Sequence, residues 1–261
     1  MSLVVDKKDG VARVTLNRPD VRNAFDDALI ASLTKAFDEL NRDTTVRVVV
    51  LAGNGPAFCA GADLNWMKRM AGYGYDENLA DAQALATMLA TLDRLPQPTI
   101  ARVHGPAFAG GTGLVAACDI GIGTPEAKFC FSEAKLGLSP ATISPYVIRA
   151  IGERTARRYF LTAEVFGAEE ACRIGLLSAL VAPTSLDGEV DSLVKHLLAG
   201  GPEAHVKIKD LIRAVTGRRV DDALGAETAK RIAEIRVSPE GREGIASFLE
   251  KRKASWCSPK S

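Results

Sequence analysis

Neither sign of charge dominates this sequence: 33 Lys and Arg stand against 32 Asp and Glu, a formal net charge of +1. A protein built mainly to hold nucleic acid needs surplus cations against phosphate, so the balance weighs against that class. Cysteines are few and scattered. Cys59, Cys118, Cys130, Cys172 and Cys257 form no C-x-x-C pair, and none of the 3 histidines sits at zinc-ligand spacing, so neither a disulfide framework nor a structural metal is expected. They read as reduced thiols. No apolar run approaches the roughly 20 residues of a membrane helix. The opening MSLVVDKKDG turns charged after five residues, too soon for a secretory signal. These absences predict a cytoplasmic chain with no membrane and no metal. What is present is apolar bulk: 47% of 261 residues are hydrophobic, enough to offset chain entropy by burial without staples.

Periodicity divides the chain. Alternation in Leu3–Val5 and Val11–Leu16 around Lys7-Lys8-Asp9-Gly10 signals a hairpin. Leu29, Leu33, Phe37 and Leu40 share a helical face behind Asp26 and Asp27. Strands are expected at Val46–Leu51, Thr99–Val103, Asp119–Gly123 and Lys128–Phe131, with a helix from about Glu77 to Leu95 and a short one around Leu114–Ala117. Strands alternating with helices up to about residue 180 predict an α/β core, taken as 1–188. Residues 189–261 read as helices only, with Pro202 and Pro239 suited to first turns. The apolar faces at Ile208, Leu211 and Ile212 and at Ile245, Phe248 and Leu249 need a partner, which suggests another subunit.

Two small-residue segments interrupt the core: Phe58-Cys59-Ala60-Gly61-Ala62-Asp63-Leu64, and Gly105 to Gly113 between a strand and a helix start. Such loops let a ligand approach the backbone, and amides at a helix start favour an anion. Neither matches a P-loop or a dinucleotide fingerprint. By themselves they fit close-packing turns equally well.

Taken with Ile100-Ala101-Arg102-Val103-His104-Gly105, Ala117-Cys118-Asp119-Ile120, Phe131-Ser132-Glu133-Ala134-Lys135-Leu136-Gly137-Leu138 and Phe248-Leu249-Glu250-Lys251-Arg252, the segments resemble the enoyl-CoA hydratase/isomerase (crotonase) superfamily in order and spacing. Gly61-Ala62-Asp63-Leu64-Asn65-Trp66-Met67 and Ser144-Pro145-Tyr146 are most similar to bacterial methylglutaconyl-CoA and isohexenylglutaconyl-CoA hydratases. The resemblance implies a crotonase-like spiral of ββα units, a C-terminal all-helical oligomerisation subdomain, and a homotrimer or homohexamer. It implies an acyl-CoA substrate whose coenzyme A is part of the substrate, with no separate cofactor.

Residue by residue, the resemblance implies an oxyanion hole from the backbone N–H groups of Ala60 and Gly110. Val21, Arg22, Ala24, Ala62, Asp63, Leu64 and Lys251 would hold coenzyme A, with Arg22 and Lys251 as its phosphate partners. Glu133 is the expected catalytic carboxylate; read without the family, Ser132-Glu133 equally suits a helix cap. The best-known hydratases of the superfamily carry a second glutamate where this chain has Gly113, whereas the resembled glutaconyl-CoA hydratases tolerate a glycine there, and many relatives have a glycine-rich stretch where it has Pro140-Ala141-Thr142-Ile143-Ser144. Ala141, through its N–H, and Ser144 and Tyr146 join Gly113 as substrate-side candidates, although a packed aromatic suits Tyr146 as well. The expected reaction is reversible hydration of an α,β-unsaturated acyl-CoA, with a branched glutaconyl thioester as the favoured substrate. A lone acid also suits a double-bond isomerase. The missing glutamate, with Arg154, Arg157 and Arg158 clustered, leaves a non-catalytic acyl-CoA- or RNA-binding protein as a third reading.

Overall fold

The computed structural model describes residues 1–257. Two compact units emerge, Met1–Ser192 and Leu193–Ser261.

In the first unit the predicted hairpin forms from β1 (Leu3–Lys8) and β2 (Val11–Leu16), paired antiparallel with Leu3 opposite Leu16 and Lys8 opposite Val11. Asp26 caps α1 (Asp27–Arg42), its carboxylate accepting the Leu29 N–H at 2.7 Å, and the face Leu29, Leu33, Phe37 and Leu40 is buried as its spacing requires. The chain continues through β3 (Val48–Gly53), α2 (Leu64–Met70), α3 (Tyr75–Asp93), β4 (Thr99–Val103), β5 (Ala107–Phe108), α4 (Gly110–Ala117), β6 (Ile120–Gly123) and β7 (Lys128–Cys130). Then come α5 (Ser144–Thr162), which breaks at Gly152, β8 (Phe166–Gly167), α6 (Ala168–Arg173), β9 (Ala179–Leu180) and α7 (Leu186–Ala199).

The main sheet has the order β1-β2-β3-β4-β6-β9, and every pair after the hairpin is parallel. Buried on both faces, β3 is a continuous Val-Val-Val-Leu run, as a parallel strand covered by helices requires. A second sheet, β5-β7-β8, is small. An aromatic cluster anchors it: Phe131 meets Phe160 edge-on at 4.8 Å, and Tyr159 lies 4.2 Å from Phe166, its hydroxyl donating to Glu170 at 2.7 Å.

The strand expected at Val46–Leu51 lies two residues later, at Val48–Gly53, and two helices begin earlier than expected. The helix expected around Leu114 begins at Gly110, because packing overrides the poor propensity of glycine. The stretch before Glu77 is already helical from Tyr75, where the Glu77 carboxylate accepts the Gly74 N–H.

The second unit contains α8 (Pro202–Val215), α9 (Asp222–Val237) and α10 (Pro239–Leu249), with Pro202 and Pro239 in the first turns. Glu240 reaches the start of α8, accepting the Glu203 and Ala204 N–H groups at 2.9 and 2.7 Å. Ile208, Ile212, Ile245, Phe248 and Leu249 are exposed. Among the described residues no helix is long and apolar enough to cross a membrane, no metal-ligand cluster occurs, and all five cysteines are free thiols.

Candidate active site

Single bridges build the site. Phe25 pairs with Ala62 and Cys59 with Ala107, both parallel, and β5 pairs parallel with β7. The segments 22–25, 59–63, 107–108 and 128–130 therefore run side by side in one direction. Each delivers the residues that follow it to the carboxyl end of the strip, where open α/β sheets place their ligands. Ala62, Gly110 and Glu133 lie three, three and four residues beyond the mutually paired Cys59, Ala107 and Phe129, and the Ala109 N–H donates to the Cys130 carbonyl at 2.8 Å, fixing the Gly110 turn beside the Glu133 segment.

The main-chain donors differ from the sequence reading at one position. The Ala60 N–H donates to the Arg22 carbonyl at 3.0 Å, so it is committed to the strip. The Asp63 N–H donates to Phe25 O at 2.7 Å and the Phe25 N–H to Gly61 O at 2.6 Å. Donors three apart, at 60 and 63, face the same neighbour because Gly61 has φ +90° and interrupts the strand alternation. The Ala62 N–H between them faces away and meets no acceptor among the described residues. The Gly110 N–H, in the first turn of α4, is likewise unpaired. The available pair is therefore Ala62 and Gly110, a correction of Ala60.

A Cβ on Gly61 would meet the Phe108 carbonyl at 3.2 Å in a backbone conformation costly for L residues. Gly61→Ala is expected to lower stability by about 1–2 kcal/mol and to reduce turnover further than stability accounts for, measured by thermal melts beside steady-state rates.

Glu133 lies in the first turn of a 3₁₀ segment, Ser132–Leu136. Its carboxyl does not cap that turn's neighbours: Oε2 is buried and has no hydrogen-bond partner. Burial raises its pKa above the usual carboxylate range, opposed only by a bond to its own N–H. A half-buried acid with an unsatisfied oxygen is poised to exchange a proton with a bound molecule.

At Gly113, where the resemblance would put a second acid, the side-chain space is filled. A Cβ on Gly113 would lie 2.3 Å from Ile143 Cγ2 and 2.9 Å from Ile143 Cβ. Ile143 is 1% exposed. Sequence reasoning named the glycine but not the isoleucine that occupies its side-chain space.

The other candidates separate. The Ala141 N–H, expected to serve water or substrate, donates instead to the Ser139 carbonyl at 2.8 Å, a second correction. Ser144 Oγ donates to Ala141 O at 2.8 Å, and its oxygen can still accept. Tyr146 packs against the core with Arg149 over its ring at 5.7 Å. Val21 and Arg22 are exposed at the start of the strip and Ala24 is buried within it, while Leu64 is exposed on α2. Asp63 is buried: one carboxylate oxygen caps α2 through the Asn65 and Trp66 N–H groups, and the other meets Arg18 at 3.2 Å. Burial would raise its pKa, but those amides and Arg18 together hold it below the ordinary value. Lys251, in the second unit, is exposed with φ +53°. Of the arginine cluster, Arg157 pairs with Glu153 and Arg158 with Glu164.

The family model described as enoyl-CoA hydratase/isomerase matches residues 6–259. A crotonyl-CoA hydratase of Syntrophomonas wolfei is 30% identical over 98% of this chain and 98% of its own. An enoyl-CoA hydratase of Alternaria alternata is 33% identical over 94% of this chain and 80% of its own. The crystal structure of an enoyl-CoA hydratase from Shewanella pealeana superposes with a TM-score of 0.95 at 41% identity, covering 98% of this chain and 96% of that one.

Proposed function

Because the chain belongs to the enoyl-CoA hydratase/isomerase family, we propose that it is a hydro-lyase that adds water reversibly across the α,β double bond of an acyl-CoA thioester. The observation that carries this reading is the unpartnered Glu133 oxygen, held at the same end of the strip as two unpaired amides. Adding water to the β carbon drives the π electrons toward the thioester oxygen. The Ala62 and Gly110 N–H groups would receive that negative charge; loss of one such donor typically costs about 10²–10³ in rate. Glu133 would take a proton from the attacking water and return one to the α carbon, ending as it began. Coenzyme A belongs to the substrate and no other cofactor enters the step. Its phosphates and adenine would lie along 21–24 and 62–64, with Arg22 as a cation. A branched glutaconyl thioester is the favoured acyl group.

The exposed apolar residues of α8 and α10 support assembly through the helical tail, taken as 189–261, into trimers or hexamers of a cytoplasmic enzyme.

Ile143 favours a second reading. With an isoleucine methyl in the space beside Gly113, a single acid could instead move one proton between the α and γ carbons, shifting the double bond without water. The test offers the protein a 2-enoyl-CoA and a 3-enoyl-CoA. A 3-hydroxyacyl-CoA formed from the first is the expected result; migration of the double bond in the second with no hydroxyacyl product supports isomerisation. Absence of turnover on any enoyl-CoA would leave acyl-CoA binding alone.

A further inference from the structure

Between the two segments that present the strip's outermost bridge lies an arginine that the proposed reaction does not use. Arg18 donates through one guanidinium nitrogen to the Ala24 carbonyl at 2.6 Å. Its other terminal nitrogen meets Asp26 Oδ2 at 2.8 Å and Asp63 Oδ2 at 3.2 Å. Both aspartates cap helices with their remaining oxygens: Asp26 Oδ1 accepts the Leu29 N–H of α1, and Asp63 Oδ1 accepts the Asn65 and Trp66 N–H groups of α2. The Arg18 main chain is fixed as well, its N–H donating to Asn23 Oδ1 at 2.8 Å and its carbonyl accepting the Asn23 N–H at 2.9 Å. Asn23 is fully buried and donates its side-chain amide to the Asn54 and Ala57 carbonyls.

One side chain thus clamps the 24–26 segment to residue 63, across the bridge in which Phe25 pairs with Ala62. The planar fork of a guanidinium suits this, since it can meet a carbonyl and two carboxylates at fixed angles, and a lysine ammonium cannot match that geometry. Without it, two carboxylates would face each other over the bridge, Asp63 with its side chain 8% exposed. Their repulsion would open the bridge from the side that sets the direction of the Ala62 amide.

We infer that Arg18 is a positioning residue: by clamping Ala24, Asp26 and Asp63 together it aims the Ala62 N–H at the position where negative charge develops. This inference rests on the proposed role of Ala62 as an oxyanion donor. A misplaced donor lowers stabilisation of the transition state more than it lowers binding of the ground state, so the signature is a kcat effect.

The test compares Arg18→Met and Arg18→Lys with the unaltered protein at 25 °C, using crotonyl-CoA and following hydration. Thermal melts on the same samples establish the folded fraction. Arg18→Met is expected to lower kcat per folded molecule at least tenfold with KM changed less than threefold, and Arg18→Lys to fall between it and the parent. If Arg18→Met does not fold, the lysine variant decides, with a kcat loss of threefold or more expected. A lower melting temperature with kcat within twofold of the parent in a folded variant would make Arg18 merely structural and overturn the inference. Glu133→Gln is assayed in parallel: if it retains full hydration, the proposed reaction fails instead, and the two failures are told apart.

Discussion

Replacing Glu133 by glutamine is expected to lower hydration or isomerisation of an enoyl-CoA by about 10²–10⁴-fold, the usual contribution of a positioned acid–base group. The same change is expected to raise the melting temperature near neutral pH. Glu133 carries a buried oxygen with no partner, and burial raises its pKa in the folded chain, whereas in the unfolded chain it titrates in the ordinary range. Below that ordinary range the carboxyl is neutral in both states and imposes no penalty. As pH rises through the folded-state value the native protein must hold a desolvated anion, and stability present at low pH is lost. The advantage of Glu133→Gln in thermal melts should therefore be absent below the ordinary carboxylate range and grow as pH rises above it, until the folded-state carboxyl is ionised. An inactive variant with no such pH-dependent gain would point to damage elsewhere in the site, and a fully active one would remove Glu133 from the chemistry.

Introducing a second carboxylate at Gly113 is expected to destabilise the protein by about 1–3 kcal/mol or more, as overpacking of a filled core does, and to add no hydration. The obstacle is Ile143. Its Cγ2 lies 2.3 Å from where the first side-chain carbon at 113 would sit. Its carbonyl accepts the Tyr146 and Val147 N–H groups, both at 3.1 Å, so it cannot retreat without unwinding the start of α5. Gly113→Glu combined with Ile143→Ala should recover part of the lost melting temperature, because the space is vacated. That double variant is also where hydration should gain relative to double-bond migration, read from the product ratio. Gly113→Glu alone folding with the parent's melting temperature would show that Ile143 moves aside readily and does not decide how many acids the site holds.

The strands and helices that were legible in the sequence are those whose pattern is local. The hairpin carries its own alternation and turn residues, Thr99–Val103 is set off by Pro96 and Pro98, and the face of α1 shows in its leucine spacing. α2 is too short to show a period, and α5 is broken at Gly152, so neither was announced. Glu133 was legible only through the family resemblance, since Ser132-Glu133 by itself suits a helix cap equally well. The amide donors were harder, since backbone groups leave no trace in residue type. Choosing between Ala60 and Ala62 needed the left-handed conformation of Gly61, which a row of small residues permits but does not dictate. Ile143 and Arg18 were missed for a further reason: their significance lies in what they touch, 30 and 45 positions away at Gly113 and Asp63.

The single bridges of the strip have a consequence for how such a protein can change. The groups proposed to carry the developing charge belong to the peptide chain itself, so no substitution other than proline deletes them; any other can only tilt or crowd them. Trp66, Met67 and Met70 sit on the neighbouring helix α2, tied in by its cap and by the Trp66 indole bond to Asp81. Altering Met67 or Met70 reshapes an apolar surface while leaving the amides in place. Substrate preference can then drift through side chains while the electrostatics of the reaction is inherited through the course of the backbone.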